Sequence, residues 1–333
     1  MPTSPRFEGT MKMKAIVQHR YGDGSALTFE DVARPSCAEE DVLVQVAAAG
    51  VDRGALHFLT GQPYLMRLGT GLRTPKVTVP GVSFAGRVEA IGSQVTKFAV
   101  GDEVYGAARG TYAEYVAAPQ TKVALKPSQL SFEEAAVLPY ASFAALQAVR
   151  DHGRVQPGER VLVVGASGAV GSIVVQVAKA SGAEVTGVCG PGGQAVAASL
   201  GADHVIDYTR EDFADGTRRY DVILDVFGRT SIRHVRRALT PRGRLVIVGG
   251  EGDRFIGGIQ RQLGAMLLTP FVGQSLRAFA AKANTETLQA INDLVAEGKV
   301  GSAVGRRYPL VEAADAVAAL TDGSTSGRIV LTV

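Results

Sequence analysis

The chain has no tryptophan and only two cysteines, Cys37 and Cys189, among 333 residues. Two thiols so far apart in sequence build neither a disulfide framework nor a four-cysteine zinc lobe, and they fit a reducing compartment. The cytoplasm is the expected location. No run approaches the roughly 20 apolar residues that a spanning helix requires, and Met1 to Thr10 lacks the apolar centre of a signal peptide. No membrane partner is expected, and the residues before Met11 read as a frayed extension. Blocks of like charge are also missing. The net charge is +3 with Lys and Arg scattered, a balance that suits an anionic small ligand better than a nucleic-acid groove.

A hydrophobic content of 46% with 20% charged residues is ordinary for a folded globular chain, and the length allows two domains. Glycine is plentiful, at 40 residues, without any Gly-Ser tract. That pattern points to tight turns and close backbone approaches. The stretch that organises the chain is Val161-Leu162-Val163-Val164-Gly165-Ala166-Ser167-Gly168-Ala169-Val170-Gly171-Ser172, which continues as an apolar helix pattern to Ala180. A strand that turns on glycines into a helix aims that helix's free N–H groups and positive dipole end at one spot, which suits a phosphate. Gly165 supplies the turn, Gly168 leaves room for a pyrophosphate, and Gly171 lets the helix lie close to the sheet. Ser167, Ala169 and Val170 complete the expected contacts. Gly182 reads as the end of that helix and Glu184 to Cys189 as the second strand of a βαβ unit.

Before this stretch, Lys14 to Val116 reads as a compact all-β region of short strands bounded by Gly, Pro and Asp. Ser131 reads as a helix cap, with Glu133 and Glu134 in the first turn. After Cys189, helix and strand patterns alternate: helix Gln194 to Leu200, strands His204 to Ile206 and Asp221 to Val226, helix Ser231 to Leu239, and strand Arg244 to Gly249. This alternation implies a doubly wound parallel sheet, to which Ser275 to Ala280 adds a sixth strand. Thr285 to Glu297 reads as an amphipathic helix and Gly327 to Val333 as a closing strand.

This order of parts, with Gly81-Val82-Ser83-Phe84-Ala85-Gly86, Gly101-Asp102-Glu103-Val104, Ala113-Glu114-Tyr115 and the Gly165 to Gly171 turn, resembles the medium-chain dehydrogenase/reductase superfamily. Within it the chain resembles the zinc-independent quinone oxidoreductase branch, from about Lys14 to Val333. The resemblance implies an α/β fold, a Rossmann doubly wound parallel sheet plus a β-rich GroES-like catalytic domain formed by both chain ends. Residues 1–135 and 284–333 would form the catalytic domain and residues 136–283 the NAD(P)-binding domain, with a substrate cleft between them. It also implies a homodimer through the Rossmann sheet edge.

Zinc members of the superfamily use a Cys, a Gly-His-Glu stretch and a later Cys around the metal. Here Asp52 follows Gly50-Val51 in the Cys position, and Gly81-Val82-Ser83 stands in place of Gly-His-Glu. No catalytic zinc is expected, because such a site needs about three N, S or O ligands. Without a Lewis acid the suitable acceptors are conjugated carbonyls. A quinone or an α,β-unsaturated ketone accepts hydride while negative charge develops on an oxygen that a hydrogen-bond donor stabilises. The candidate catalytic residues are His57, Asp52 and Tyr64. Quinone-reductase relatives often carry Asn at the Asp52 position and Tyr at the His57 position, whereas zinc-containing relatives place a proton-relay histidine where His57 stands. His57 reads either as such a relay or as a hydrogen-bonded structural residue, and Asp52 and Tyr64 as shaping the site.

The second strand ends Val188-Cys189-Gly190-Pro191-Gly192-Gly193-Gln194, without the carboxylate that normally binds the ribose of NAD and repels a 2′-phosphate. NADPH is therefore expected over NADH. Cys189 and Gly190 would border the ribose, and Tyr208 and Arg210 are candidates to hold the phosphate, Arg210 reading equally as a solvated loop charge. Val248, Gly249 and Gly250 are expected at the nicotinamide carboxamide, Leu138 to Tyr140 and Ala144 beside the ring, and Glu251 to Phe271 over the cleft. The functional expectation is an NADPH-dependent reductase of a quinone or enone. A reductase of enoyl thioesters or other activated alkenes, and an NADPH-binding sensor or scaffold without turnover, are the alternatives.

Overall fold

A computed structural model describes residues 11–249, 253–322 and 327–333. The expected frayed extension before Met11, Gly250 of the expected carboxamide contact, and Glu251 and Gly252 of the expected cover lie outside the described residues. The first part of the chain is built from β1 (Lys12–Gln18), β2 (Leu27–Ala33), β3 (Asp41–Val51), α1 (Arg53–Thr60), α2 (Arg67–Thr70), β4 (Ser83–Ile91), β5 (Glu103–Ala107), β6 (Tyr115–Pro119) and β7 (Val123–Leu125). Next come α3 (Phe132–Ala136) and α4 (Pro139–Leu146), which cross to the second part. There β8 (Arg160–Val164), α5 (Ala169–Ala180), β9 (Glu184–Cys189), α6 (Gln194–Ser199), β10 (His204–Asp207), β11 (Tyr220–Asp225), α7 (Ile232–Arg237), β12 (Leu239–Ile247), α8 (Ile259–Leu268) and β13 (Ser275–Ala278) alternate. The chain returns through α9 (Thr285–Ala296), β14 (Val304–Pro309), α10 (Ala313–Asp322) and β15 (Arg328–Thr332).

The second part is the doubly wound sheet expected from the alternation. Its six strands lie in the order β10-β9-β8-β11-β12-β13 and every pairing is parallel. Val161 to Val164 are all buried, as befits a parallel strand covered on both faces. The first part and the chain end share a seven-stranded sheet, β14-β15-β3-β4-β5-β7, with β6 also on β3. The antiparallel register Ile329↔Val51 sets the last strand beside the end of β3 that leads into α1. On the other side of β3, Gly50 pairs with Ser83. Asp52, Ser83 and Arg328 are thereby brought to one end of this sheet.

The reading of Lys14 to Val116 as all-β missed α1 and α2. The α1 signal is short. Asp52 caps it, its Oδ1 accepting from the Ala55 amide at 2.9 Å, and Ala55 and Leu59 are buried one turn apart. Gly54, a poor helix former, interrupts the pattern. The strand β2, and β14 and α10 near the chain end, were likewise not read. By contrast Ser131 forms a full capping box with Glu134.

The two parts share hydrophobic packing. Ala48 and Ala85 of the seven-stranded sheet, Val163, Ile173 and Val174 of the parallel sheet and its helix, and Leu288 and Val330 of the chain end belong to one buried cluster. Tyr105 of β5 joins it and donates from its hydroxyl to the Leu288 carbonyl at 3.1 Å and to Asn292 Oδ1 at 2.7 Å. No helix among the described residues is long and apolar enough to cross a membrane. Tyr105→Phe removes the hydroxyl that joins β5 to α9 and is expected to lower stability by about 1 kcal/mol. A shift of the urea midpoint at constant m-value is the measurement, and an unchanged midpoint would refute the linkage.

Candidate functional site

At the end of β8 the Gly165 and Ala166 amides donate to the Val188 carbonyl of β9 at 2.9 and 3.0 Å. Gly165 then turns the chain with φ +91°. A Cβ placed on Gly171 would lie 2.0 Å from the Gly165 carbonyl oxygen, so only glycine lets the first turn of α5 seat on the loop that precedes it. A Cβ on Gly168 would meet nothing closer than 3.5 Å. Gly168 and Ala169 are exposed, and no side chain caps α5. Its leading N–H groups, Val170 among them, point into open space with the dipole's positive end behind them.

A buried charge missed in the sequence reading stands against this turn. Arg328 of β15 donates to Ser172 Oγ at 2.9 Å, to the Ala169 carbonyl at 3.2 Å and to Ser302 Oγ at 3.0 Å. Among the described residues no carboxylate pairs with it, and burial pulls its pKa down to about 10. The available signal was a lone charge opening an otherwise apolar strand.

Around β9 the structure brings several candidates together. Cys189 is buried, and the Tyr208 amide donates to its carbonyl at 3.2 Å. The Tyr208 hydroxyl stands 3.4 Å from where a Gly190 Cβ would be, and Ser167 Oγ 2.3 Å from where a Gly193 Cβ would be. The nearby carboxylate of Asp207 is turned inward. Its Oδ1 accepts from the amide and hydroxyl of Thr209 and its Oδ2 from Gln194 Nε2. Arg210 is exposed, and among the described residues it has no carboxylate partner.

At the carboxyl edge of the sheet, Asp225 ties three segments together. Its main-chain carbonyl accepts from the Val248 and Gly249 amides at 2.9 and 3.2 Å, and its Oδ1 accepts from Gly228 at 2.9 Å. Its Oδ2 pairs with Arg261 of α8. Burial raises the Asp225 pKa and the Arg261 charge opposes that rise.

The remaining candidates surround α1. Asp52, besides capping the helix, accepts from Ser83 Oγ at 3.3 Å, and burial pushes its carboxyl up to about 6. His57 lies at the other end, about 7–8 Å along the axis at the usual helical rise. Its Nδ1 is 2.8 Å from the Gln62 carbonyl. A carbonyl only accepts, so Nδ1 carries the proton and Nε2 is the ring nitrogen left over. Tyr64 packs edge-on to Phe255, with centroids 5.5 Å apart, and under the Arg67 guanidinium. The Tyr64 and Leu65 amides donate to the Arg254 and Phe255 carbonyls, which places Tyr64 on the rim where the segment before α8 meets the first part. Asp52, His57 and Tyr64 are thus neighbours in the chain without forming one hydrogen-bonded set. Ser83, not among the catalytic candidates, is the side chain that Asp52 engages.

A carboxyl with a raised folded-state pKa binds more protons folded than unfolded between its two pKa values, so its contribution to stability falls as pH rises through that window. For Asp52 the window runs from about 4 to about 6. Asp52→Asn keeps a capping oxygen and is expected to flatten that fall. Above pH 6 it should gain up to about 3 kcal/mol over the wild type. Thermal melts from pH 4 to 8 test this, and parallel profiles for the two proteins would contradict it.

Two family models match the chain, an alcohol dehydrogenase GroES-like domain over residues 38–128 and a zinc-binding dehydrogenase domain over residues 200–331. The chain is 32% identical to 2-methylene-furan-3-one reductase of Solanum lycopersicum over 99% of its own length and 81% of the relative's. It is 31% identical to the quinone oxidoreductase of Lama guanicoe over 97% and 98% of the two chains. The solved structure of the quinone oxidoreductase from Coxiella burnetii superposes with a TM-score of 0.84 at 27% identity, covering 97% of this chain and 100% of that one. With this architecture and these relatives, the chain belongs to the medium-chain dehydrogenase/reductase superfamily, in its quinone oxidoreductase-like branch, and is an oxidoreductase of the nicotinamide-dependent fold.

Proposed function

We propose that this protein is an NADPH-dependent, zinc-independent reductase that transfers hydride to a quinone or an α,β-unsaturated carbonyl. The observation that carries this reading is the open, uncapped α5 start behind Gly168, a cradle with backbone donors and no side chain in the way. When bound, NADPH supplies the hydride. Ala169 and Val170 would offer N–H groups to the pyrophosphate, with the positive charge of Arg328 beside the same turn. Ser167, Cys189 and Gly190 would border the adenosine ribose. Tyr208 and Arg210 would meet the 2′-phosphate, and the inward turn of Asp207 keeps its carboxylate committed to Thr209 and Gln194. The amides of Val248 and Gly249 are already donated to Asp225, so this pair would offer carbonyl oxygens to a carboxamide.

The absence of zinc chemistry is supported by residue identity. Val82 has no donor atom, and Asp52 and Ser83 are hydrogen-bonded to each other. The two relatives' substrates named above are both conjugated carbonyls, the class that accepts hydride without a metal. His57, with Nε2 free, would relay a proton, and Tyr64 would shape the rim. We place the protein in the cytoplasm as a homodimer joined along β13, an edge strand of the parallel sheet.

Cofactor oxidation by purified protein, with an ortho-quinone and a simple enone as acceptors and a chelator present, tests this reading. Turnover is expected to resist the chelator and to favour NADPH over NADH. Arg210→Gln should raise the KM for NADPH by roughly tenfold, the scale of one charge-assisted contact, and leave that for NADH unchanged. Saturable NADPH binding without oxidation by any acceptor would replace the reductase with the sensor reading.

A further inference from the structure

A hydride acceptor of this class develops negative charge on oxygen, and the protein must point a hydrogen-bond donor at it. Around α1 most donors are already used. The Tyr112 hydroxyl donates to the Gly50 carbonyl and Ser83 Oγ to Asp52. The Nδ1 proton of His57 goes to Gln62. An ionised Asp52 only accepts, and neutral His57 Nε2 likewise only accepts. Of the tyrosine hydroxyls around α1, those of Tyr140 and Tyr64 have no partner among the described residues, and the partnerless hydroxyls of Thr111 and Ser142 are fully buried and out of a ligand's reach.

Their settings differ. Tyr64 is held on the rim between Phe255 and Arg67. Tyr140 lies in the first turn of α4, the helix that carries the chain from the first part into the second, and its ring covers the first turn of α1. A Cβ on Gly54 would sit 2.4 Å from Tyr140 Cε2, so the glycine that weakens α1 is what lets the ring lie there. Tyr140 remains 38% exposed. Burial and the neighbouring Asp52 charge push its hydroxyl up to about 12, which keeps the proton on it at neutral pH.

We propose that Tyr140 is the catalytic hydrogen-bond donor to the acceptor's carbonyl oxygen, set in place by Gly54 at the Asp52 end of α1. This assignment rests on the reductase reading. Hydride adds to the conjugated system, the electron pair of the carbon–oxygen π bond moves onto oxygen, and the Tyr140 O–H donates to that oxygen. For a quinone the tyrosine proton passes to that oxygen and is replaced from solvent, and the hydroquinone forms as the added hydrogen leaves the ring carbon as a proton while the second oxygen takes one from solvent. For an enone the final proton reaches the α-carbon from solvent.

Tyr140→Phe retains the ring over Gly54 and removes only the hydroxyl. In the full-length protein saturated with NADP⁺, absorbance titration of 4-nitrophenolate, a stable aromatic oxyanion, reads the contact without turnover. We expect Tyr140→Phe to weaken that binding by roughly tenfold or more. It should also lower kcat by about a hundredfold, leave the NADPH dissociation constant by fluorescence unchanged, and preserve the melting temperature. Unaltered 4-nitrophenolate binding, or a kcat within threefold of wild type, overturns the assignment while the reductase reading stands. Loss of both on Tyr64→Phe but not on Tyr140→Phe overturns it in favour of the rim tyrosine. A wild type without turnover removes the reductase reading, and Tyr140 as a catalytic donor falls with it.

Discussion

The close approach of Gly171 to the Gly165 carbonyl is the constraint on which the rest of the site depends. A methyl group at Gly171 would collide with backbone, and displacing α5 outward would move its leading N–H groups away from the carboxyl ends of the strands. The same seating brings Ser172 and Ala169 within reach of Arg328, so the last strand of the chain is fastened to the glycine turn by side-chain hydrogen bonds. A guanidinium buried without a carboxylate is costly by itself. Its placement beside a site suited to an anion gives that cost a physical reason.

Two polar fastenings hold the surroundings in register. Asp225 binds the loop after β11, the end of β12 and α8 at once through both main chain and carboxylate. Tyr105 joins β5 to α9 through a hydroxyl at the buried junction of the parts. Both lie beside a shared apolar cluster, so the junction of the two parts is set by packing and its edges by a few fully engaged polar groups. The α1 end follows the same logic in reverse. Around α1 nearly every donor is committed to the protein, and the uncommitted hydroxyls of Tyr140 and Tyr64 are the groups available to a ligand.

Much of the fold was legible in local pattern. The glycine spacing after Val161–Val164, the capping box at Ser131 and the alternation from Glu184 to Ile247 are local signals, because turn sterics, caps and parallel-strand burial act over a few residues. The missed α1 shows where that ends. Eight residues with a glycine second in the helix carry little periodicity, and the cap that stabilises them was read for its place in a motif instead of for its hydrogen bond. Arg328 and Ser83 were unreadable as site neighbours for a different reason. Each lies far from Asp52 and Gly168 in sequence and arrives there only through the register of β15 and β4 on β3.

By itself the sequence determined the doubly wound sheet, the glycine turn that opens α5 and the presence of Asp52, Val82 and Ser83 where zinc members of the family carry Cys, His and Glu, since each is a matter of residue identity at short spacing. Only the tertiary structure decided which polar groups are spent and which are free. It turned the Asp207 carboxylate inward, gave the His57 Nδ1 proton to Gln62, fixed Asp52 to Ser83 and left Tyr140 over Gly54 with a hydroxyl that has no partner among the described residues. Hydrogen-bond satisfaction is a property of groups brought together from distant parts of the chain, and no local pattern records it.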